Sequence, residues 1–231
     1  MPSRSREEIR VVACLFLVLF LGVADNQILS PLLPAIRAQF GKSSSDMGYL
    51  FSGYSFCAGL SVLIWGPLSD AFGRKRGLLC GLAIFTAGSL LSFLSTGFFV
   101  MLAGRIVAGM GASMLSLNSI AYAADFFPYE NRGWAMGSIL SSYFAALILG
   151  VPLGSWLADA FGWQMVFGAI GGIALSLFLM SYCLIPNTSP RANQGPVMPV
   201  RDYVRQYVGF LRSQSSSAAL FCSFFASAGT M

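Results

Sequence analysis

Histidine is missing altogether from the 231 residues of the chain. Without imidazole there is no Ser-His-Asp triad, no histidine-ligated metal and no proton relay through a ring that titrates near neutrality. Charge is scarce too. Asp, Glu, Lys and Arg make up 10 % of the residues, against roughly 25 % in a soluble domain, and a soluble fold so poor in charge could not cover its own core. Cysteine is present but unorganised: Cys14, Cys57, Cys80, Cys183 and Cys222 form no CxxC pair, are odd in number and each lie in an apolar run. They read as reduced packing residues, not as disulfides or zinc ligands. The apolar segments hold no G-x-S-x-G and no paired carboxylates, which leaves an intramembrane enzyme as the weakest of the readings.

What the chain has in quantity is apolar surface. Hydrophobic residues make up 56 %, with 20 Phe and 25 Gly, the mixture of bulky and small side chains that membrane helices use. A bilayer crossing needs about twenty mostly apolar residues. Such runs occupy 11–33, 47–68, 77–95, 98–124, 133–158 and 163–185. A seventh starts near residue 216 and reaches only to 231. The basic residues before position 11 resemble the start of a signal peptide, but the run behind them is over twenty residues long and lacks a small-residue cleavage site. The sequence therefore predicts an all-α membrane protein. Its parts are a cytoplasmic N-terminus (1–10), a six-helix bundle (11–185), a linker (186–215) and the start of a seventh helix (216–231).

Basic residues set the expected orientation, because loops rich in Lys and Arg stay on the cytoplasmic side. With the N-terminus inside, the inner segments carry eleven of the 14 basic residues, among them Arg74, Lys75, Arg76 and Arg132. The outer segments carry Arg37 and Lys42, and Arg105 is intramembrane. The net charge of +5 then reflects topology and contact with anionic lipid. No basic, aromatic-interleaved face suits a nucleic acid. Within the linker, Val200, Val204 and Leu211 recur at helical spacing with Arg201, Arg205 and Arg212 off that stripe, which predicts a short amphipathic helix on the inner leaflet.

An internal repeat runs through the bundle. Leu68-Ser69-Asp70-Ala71-Phe72-Gly73 returns as Leu157-Ala158-Asp159-Ala160-Phe161-Gly162, an offset of 89, and at the same offset Gly48 meets Gly137, Ser52 meets Ser141 and Tyr54 meets Tyr143. One copy follows the second span and the other follows the fifth, on opposite sides of the membrane. An inverted three-plus-three build requires that placement.

The segment from Gly66 to Lys75 resembles the cytoplasmic signature G-x-x-x-D-[RK]-x-G-[RK]-[RK] of the major facilitator superfamily. Its residues have an intelligible use: Gly66 permits close helix packing, Gly73 a tight turn, and Asp70 can face the positive end of a helix. Arg74 and Lys75 are suited to acidic partners and lipid phosphates. Ala71 stands where the family usually has a basic residue. Arg105-Ile-Val-Ala-Gly109-Met-Gly111 is similar to the family's R-x-x-x-G-x-G, and the stretch from Asp125 through Pro128 and Arg132 looks like its loop between helices four and five. Gly150-Val151-Pro152-Leu153-Gly154 is close to the G-P-x-x-G-G signature of proton-coupled antiporters, with Val151 inserted and the following Gly one position early. Asp25-Asn26-Gln27 before Pro31 and Pro34 resembles the first helix of drug and sugar efflux members.

The resemblance implies twelve helices in two halves, of which this chain supplies the N-terminal half and the beginning of the second. It implies a carrier in a cell membrane, the bacterial inner membrane, whose partners are a small-molecule substrate, protons, lipid and the C-terminal half, with no cofactor or metal. From the residues themselves, Asp25 and Arg105 are ionisable groups inside spans, where charge is costly and by default functional. They lie about 13 Å and 10 Å from the outer ends of antiparallel helices by helical rise, at one depth. They are the candidate coupling pair, and protonation of Asp25 would remove a buried charge. Gly66, Asp70, Gly73, Arg74, Lys75, Asp125 and Arg132 are the candidate gating residues, with Arg74 paired to Asp125. Asn26, Tyr54 and Tyr143 are cavity candidates; Gly109, Gly111, Gly150, Pro152 and Gly154 are candidate packing positions. Alternating-access efflux driven by protons is the expected function. A uniporter or uptake carrier, and a non-transporting six-helix membrane or interaction protein, are the alternatives.

Overall fold

A computed structural model describes residues 5–186, and they are helical. The sequence-predicted linker helix and seventh span lie outside the described residues. Helix α1 runs Arg6–Phe40 and α2 runs Ser44–Phe72. Helix α3 spans Arg74–Phe93 and α4 spans Phe98–Phe126. A segmented fifth crossing comprises α5 (Tyr129–Leu140), α6 (Ser142–Ala145), a π-helical turn over Ala146–Gly150 and α7 (Val151–Phe161). Helix α8 (Trp163–Leu184) is the sixth. Six helical segments among the described residues are long and apolar enough to cross a membrane.

Local chemistry fixes the ends. Ser5 and Glu8 cap α1 reciprocally, as Ser43 and Asp46 cap α2, each pair satisfying two otherwise orphaned backbone N–H groups. Helix α1 is longer than its apolar run. It starts at Arg6, inside the stretch read as N-terminal tail, and passes Pro31 and Pro34 to stop only at Gly41, whose φ of 60° ends it. Each proline removes one backbone donor without breaking this helix. Asp25 is therefore fifteen residues from the end of its helix, which continues seven residues beyond the apolar run that ends at Leu33.

The fifth crossing departs from the continuous helix expected over 133–158. It is interrupted at Ser141 and again by the π turn, in which the Val151 N–H bonds back to the Ala146 carbonyl. Pro152 lies directly after that turn. Lacking an N–H, it cannot bond the Ile148 carbonyl four residues back, and the widened turn accommodates the mismatch.

The repeat is visible in the backbone. Gly73 joins α2 to α3 with φ 97° and ψ 140°, and Gly162 joins α7 to α8 with φ 91° and ψ 153°. Both donate their N–H to the carbonyl four residues earlier, Ser69 at 3.0 Å and Ala158 at 2.8 Å. An L side chain rarely adopts those dihedrals, so both positions need glycine. The packing repeats as well: α2 lies against α4, and the fifth crossing lies against α1. Helix α3 packs most extensively, on α4 and then on α8. Bare backbone lets α3 and α4 approach, since a Cβ at Gly88 would collide with the Ala108 backbone and one at Gly111 with the Phe85 backbone. Helix α2 and the fifth crossing turn much of their apolar surface outward, including Phe56, Ile64, Phe144 and Ile148.

Candidate functional site

The centre of the bundle holds the two intramembrane charges. Asp25 on α1 and Arg105 on α4 are both fully buried, and Arg105 Nη1 donates to Asp25 Oδ1 at 2.8 Å. Nη2 reaches the Asp25 backbone carbonyl at 3.5 Å. The guanidinium carbon lies 4.6 Å from the Tyr54 ring centroid and 5.4 Å from that of Phe167, so an aromatic face from α2 and another from α8 both cover it. Asp25 Oδ2 and Arg105 Nε have no hydrogen-bond partner. The pair is compensated in charge but incompletely hydrogen-bonded, a combination that makes the site sensitive to the loss of either member.

Beside it opens a cavity of about 350 Å³, lined by Asn26, Gln27, Tyr54, Ser113, Ser116 and Tyr143 together with small apolar residues. The three sequence-predicted cavity residues, on α1, α2 and α6, are thus brought into one space. Tyr54 belongs to both places: its ring covers Arg105, and the residue lines the cavity. Its position depends on Gly109, where a Cβ would lie 2.5 Å from the Tyr54 carbonyl oxygen. A second space of about 490 Å³ shares Ala58, Ser113 and Ser116 with the first and continues between α2 and α4 past Val62, Leu117 and Ile120. Its walls are almost wholly apolar.

At the end of the bundle where α2 turns into α3, Arg74 is held from two helices. It forms ion pairs with Asp70 and, at 3.4 Å, with Asp125 of α4, and its Nη1 donates to Ser69 Oγ at 2.9 Å. Asp70 thus pairs with the side chain of the first residue of α3. Lys75 donates to the Tyr182 carbonyl of α8 at 3.0 Å and sits 5.6 Å from that ring, while Arg132 reaches the Phe127 carbonyl at 3.4 Å. The close packing expected at Gly66 is not formed among the described residues. A Cβ there would meet nothing within 4 Å, because Gly66 is off the buried Met47–Leu50–Tyr54–Ser61–Ser69 stripe of α2. Pro152 is likewise corrected: it is exposed and shapes the backbone instead of a contact. Gly150 and Gly154 do face α1, against Ala24 and Ile28.

Sequence reasoning missed Asn118. It is fully buried on α4, and its Oδ1 accepts from Ser69 Oγ at 2.5 Å while its Nδ2 donates to the Met114 carbonyl at 2.8 Å. An amide inside an apolar span was the available signal. Phe167 was missed too, for it is one aromatic among many until the fold sets it over Arg105.

The sequence profile of the Major Facilitator Superfamily matches residues 15–231. The chain is similar to Azole resistance protein 1 of Saccharomyces cerevisiae, at 31 % identity over 202 residues, 86 % of this chain and 32 % of that protein. It is 30 % identical over 174 residues to the MFS-type transporter YbcL of Bacillus subtilis, 75 % of this chain and 45 % of that one. Its fold is similar to the inward-open xylose transporter XylE from E. coli, with a TM-score of 0.71 at 17 % identity, covering 92 % of this chain and 54 % of the other. A bacterial homolog of the human lysosomal transporter Spinster gives the same TM-score at 15 % identity over 81 % of this chain and 45 % of that one. The chain thus spans less than half of the length of these curated relatives. With six membrane-length helices, a backbone-level repeat and a family profile covering nearly its whole length, it is an integral multi-pass membrane protein that belongs to the Major Facilitator Superfamily.

Proposed function

We propose that this chain is the N-terminal half of a secondary carrier that exports a small molecule in exchange for protons by alternating access, with its N-terminus in the cytoplasm. The observation that carries this reading is the fully buried Asp25–Arg105 pair set beside a polar cavity, with Tyr54 shared between them. Protonation of Asp25 removes the anion from the pair. Arg105 then keeps hydrogen-bond acceptors on Asp25 and the two aromatic faces but loses its counter-charge, and the helices α1 and α4 that the pair holds together are freer to rearrange. Binding energy that differs between two arrangements of the same helices is what a carrier must have. The cytoplasmic orientation is supported by the bias of basic residues towards the end bearing Arg74, Lys75, Arg76 and Arg132.

The cavity lining supports one class of substrate. Amide and hydroxyl groups line one part, apolar side chains line its continuation, and both charges are shielded from it. An uncharged, amphipathic molecule fits: its polar head would bond Asn26, Gln27 and the tyrosines, and its apolar body would lie along α2 and α4. Export is supported by similarity to a relative named for azole resistance.

The test uses the complete carrier in proteoliposomes loaded with a neutral amphipathic dye, with and without an imposed pH gradient. Asp25→Asn is expected to abolish gradient-driven efflux while leaving downhill exchange. Full gradient-driven efflux by that variant would remove Asp25 as the essential proton site and leave a site in the C-terminal half as the better reading; efflux indifferent to the gradient in the unaltered carrier would leave a uniporter.

A further inference from the structure

The charge cluster around Arg74 is joined to the bundle interior by a buried chain of uncharged groups. Asn118 donates its Nδ2 proton to the Met114 carbonyl of its own helix, which fixes the amide with Oδ1 turned outward from α4. That oxygen accepts the single proton of Ser69. Ser69, its proton committed, can only accept from Arg74, and does so at 2.9 Å. The sense of each bond in the chain therefore follows from the orientation of one amide. The seat of that amide is built into α3: a Cβ at Gly77 would lie 2.5 Å from Asn118 Oδ1 and 2.9 Å from Nδ2, so any side chain there would displace it. Ser69 is 2 % exposed and Asn118 fully buried, so water does not substitute for either.

We propose that Asn118 is a positioning residue: through Ser69 it sets Arg74 between Asp70 and Asp125, so that the charge cluster at the loop is held from inside α4. The functional consequence rests on the carrier reading above, in which this cluster takes part in gating. Helix α4 then carries the coupling residue Arg105, two walls of the cavity in Ser113 and Ser116, and, on its next turn, the residue that holds the loop. A shift or rotation of α4 that accompanies substrate or proton binding would pull Asn118 from Ser69 and carry Asp125 with it, loosening Arg74 at both of its α4-dependent contacts.

The test is a thermal-stability cycle in the complete carrier in detergent, which needs no transport and so fails independently of the carrier reading. Asn118 and Asp125 are seven residues apart, about 10 Å along the helix axis. Substitutions that far apart with no shared partner usually add. Here they share Arg74. We expect the loss in Tm caused by Asn118→Leu to be at least halved in an Asp125→Asn background, and the two losses to become additive once Arg74→Ala is present. Should Asn118→Leu fail to insert, Ser69→Ala breaks the same chain by removing one oxygen and is put through the same cycle. Additive losses with Arg74 intact would overturn the proposal and reduce Asn118 to a local packing residue.

Discussion

Removing the charge of Asp25 should cost more than removing that of Arg105, although the two form one bond. Asp25→Asn keeps the shape of the side chain and leaves the Arg105 guanidinium fully buried with no counter-charge. Breaking a buried pair by deleting one partner costs roughly 3–5 kcal/mol. Guanidinium cannot shed its proton, so an orphaned Arg105 has no chemical escape. The rings of Tyr54 and Phe167, 4.6 and 5.4 Å away, offset about 0.5–2 kcal/mol of that cost. Arg105→Leu leaves Asp25 instead, and a buried carboxyl group can take up a proton and become neutral. Its cost should therefore lie at or below the lower end of the same range. The double variant Asp25→Asn, Arg105→Leu buries no charge and should recover most of the loss, with a coupling of about 3 kcal/mol. The assay is Tm of the purified carrier in detergent for the four proteins, under one buffer and lipid content. Equal losses from both single variants, or a double variant whose loss is the sum of the two, would refute the argument that the pair is a compensated charge in a dry site.

Gly88→Ala should destabilise by roughly 1–3 kcal/mol, because its Cβ collides with the Ala108 backbone, whereas Gly172→Ala, whose Cβ meets nothing within 4 Å, should be neutral or stabilising; Tm of the two variants decides. Lys75→Ala removes a largely exposed contact with Tyr182 and should change Tm by less than about 1 kcal/mol equivalent, in contrast to Arg74→Ala. In a cysteine-free background, cysteines replacing Lys42 and Asp159 should react with an impermeant maleimide from outside intact cells, and one replacing Lys75 should not; outside labelling at Lys75 would invert the orientation. Pro152→Ala restores a donor to the Ile148 carbonyl and should tighten the π turn, seen as slower amide exchange across residues 146–152.

Composition and hydropathy alone were enough for six crossings, since a run of apolar residues as long as a bilayer is thick leaves the chain little choice. The repeat was legible for a similar reason. Gly73 and Gly162 must both adopt a positive φ that other residues avoid, so the turn chemistry is written in the residue type itself. Asp25 and Arg105 stood out because a charge in hydrocarbon is too costly to be idle. Helix ends were less legible: a proline or an apolar boundary does not terminate a helix whose caps lie farther out, which is why α1 begins at Arg6 and ends at Phe40. The segmentation of the fifth crossing was hidden too, because a proline does not by itself dictate a π turn: Pro31, Pro34 and Pro67 lie inside α-helices that continue through them.

Only the tertiary structure decided which side chains meet. Tyr54 and Phe167 are 113 residues apart in sequence, and nothing in either residue pairs it with Arg105; they become its cover because α2 packs on α4 and the Arg105 side chain reaches the Phe167 ring of α8. Ser69 and Asn118 likewise have no local pattern that pairs them. Their bond exists because Gly77 leaves room for an amide between α2, α3 and α4. The sequence by itself determined the medium, the number of crossings and the location of charge, all of which are set by the free energy of transferring each residue into lipid. Contacts between helices depend on the close approach of three or four backbones at once, and that is a property of the assembled bundle.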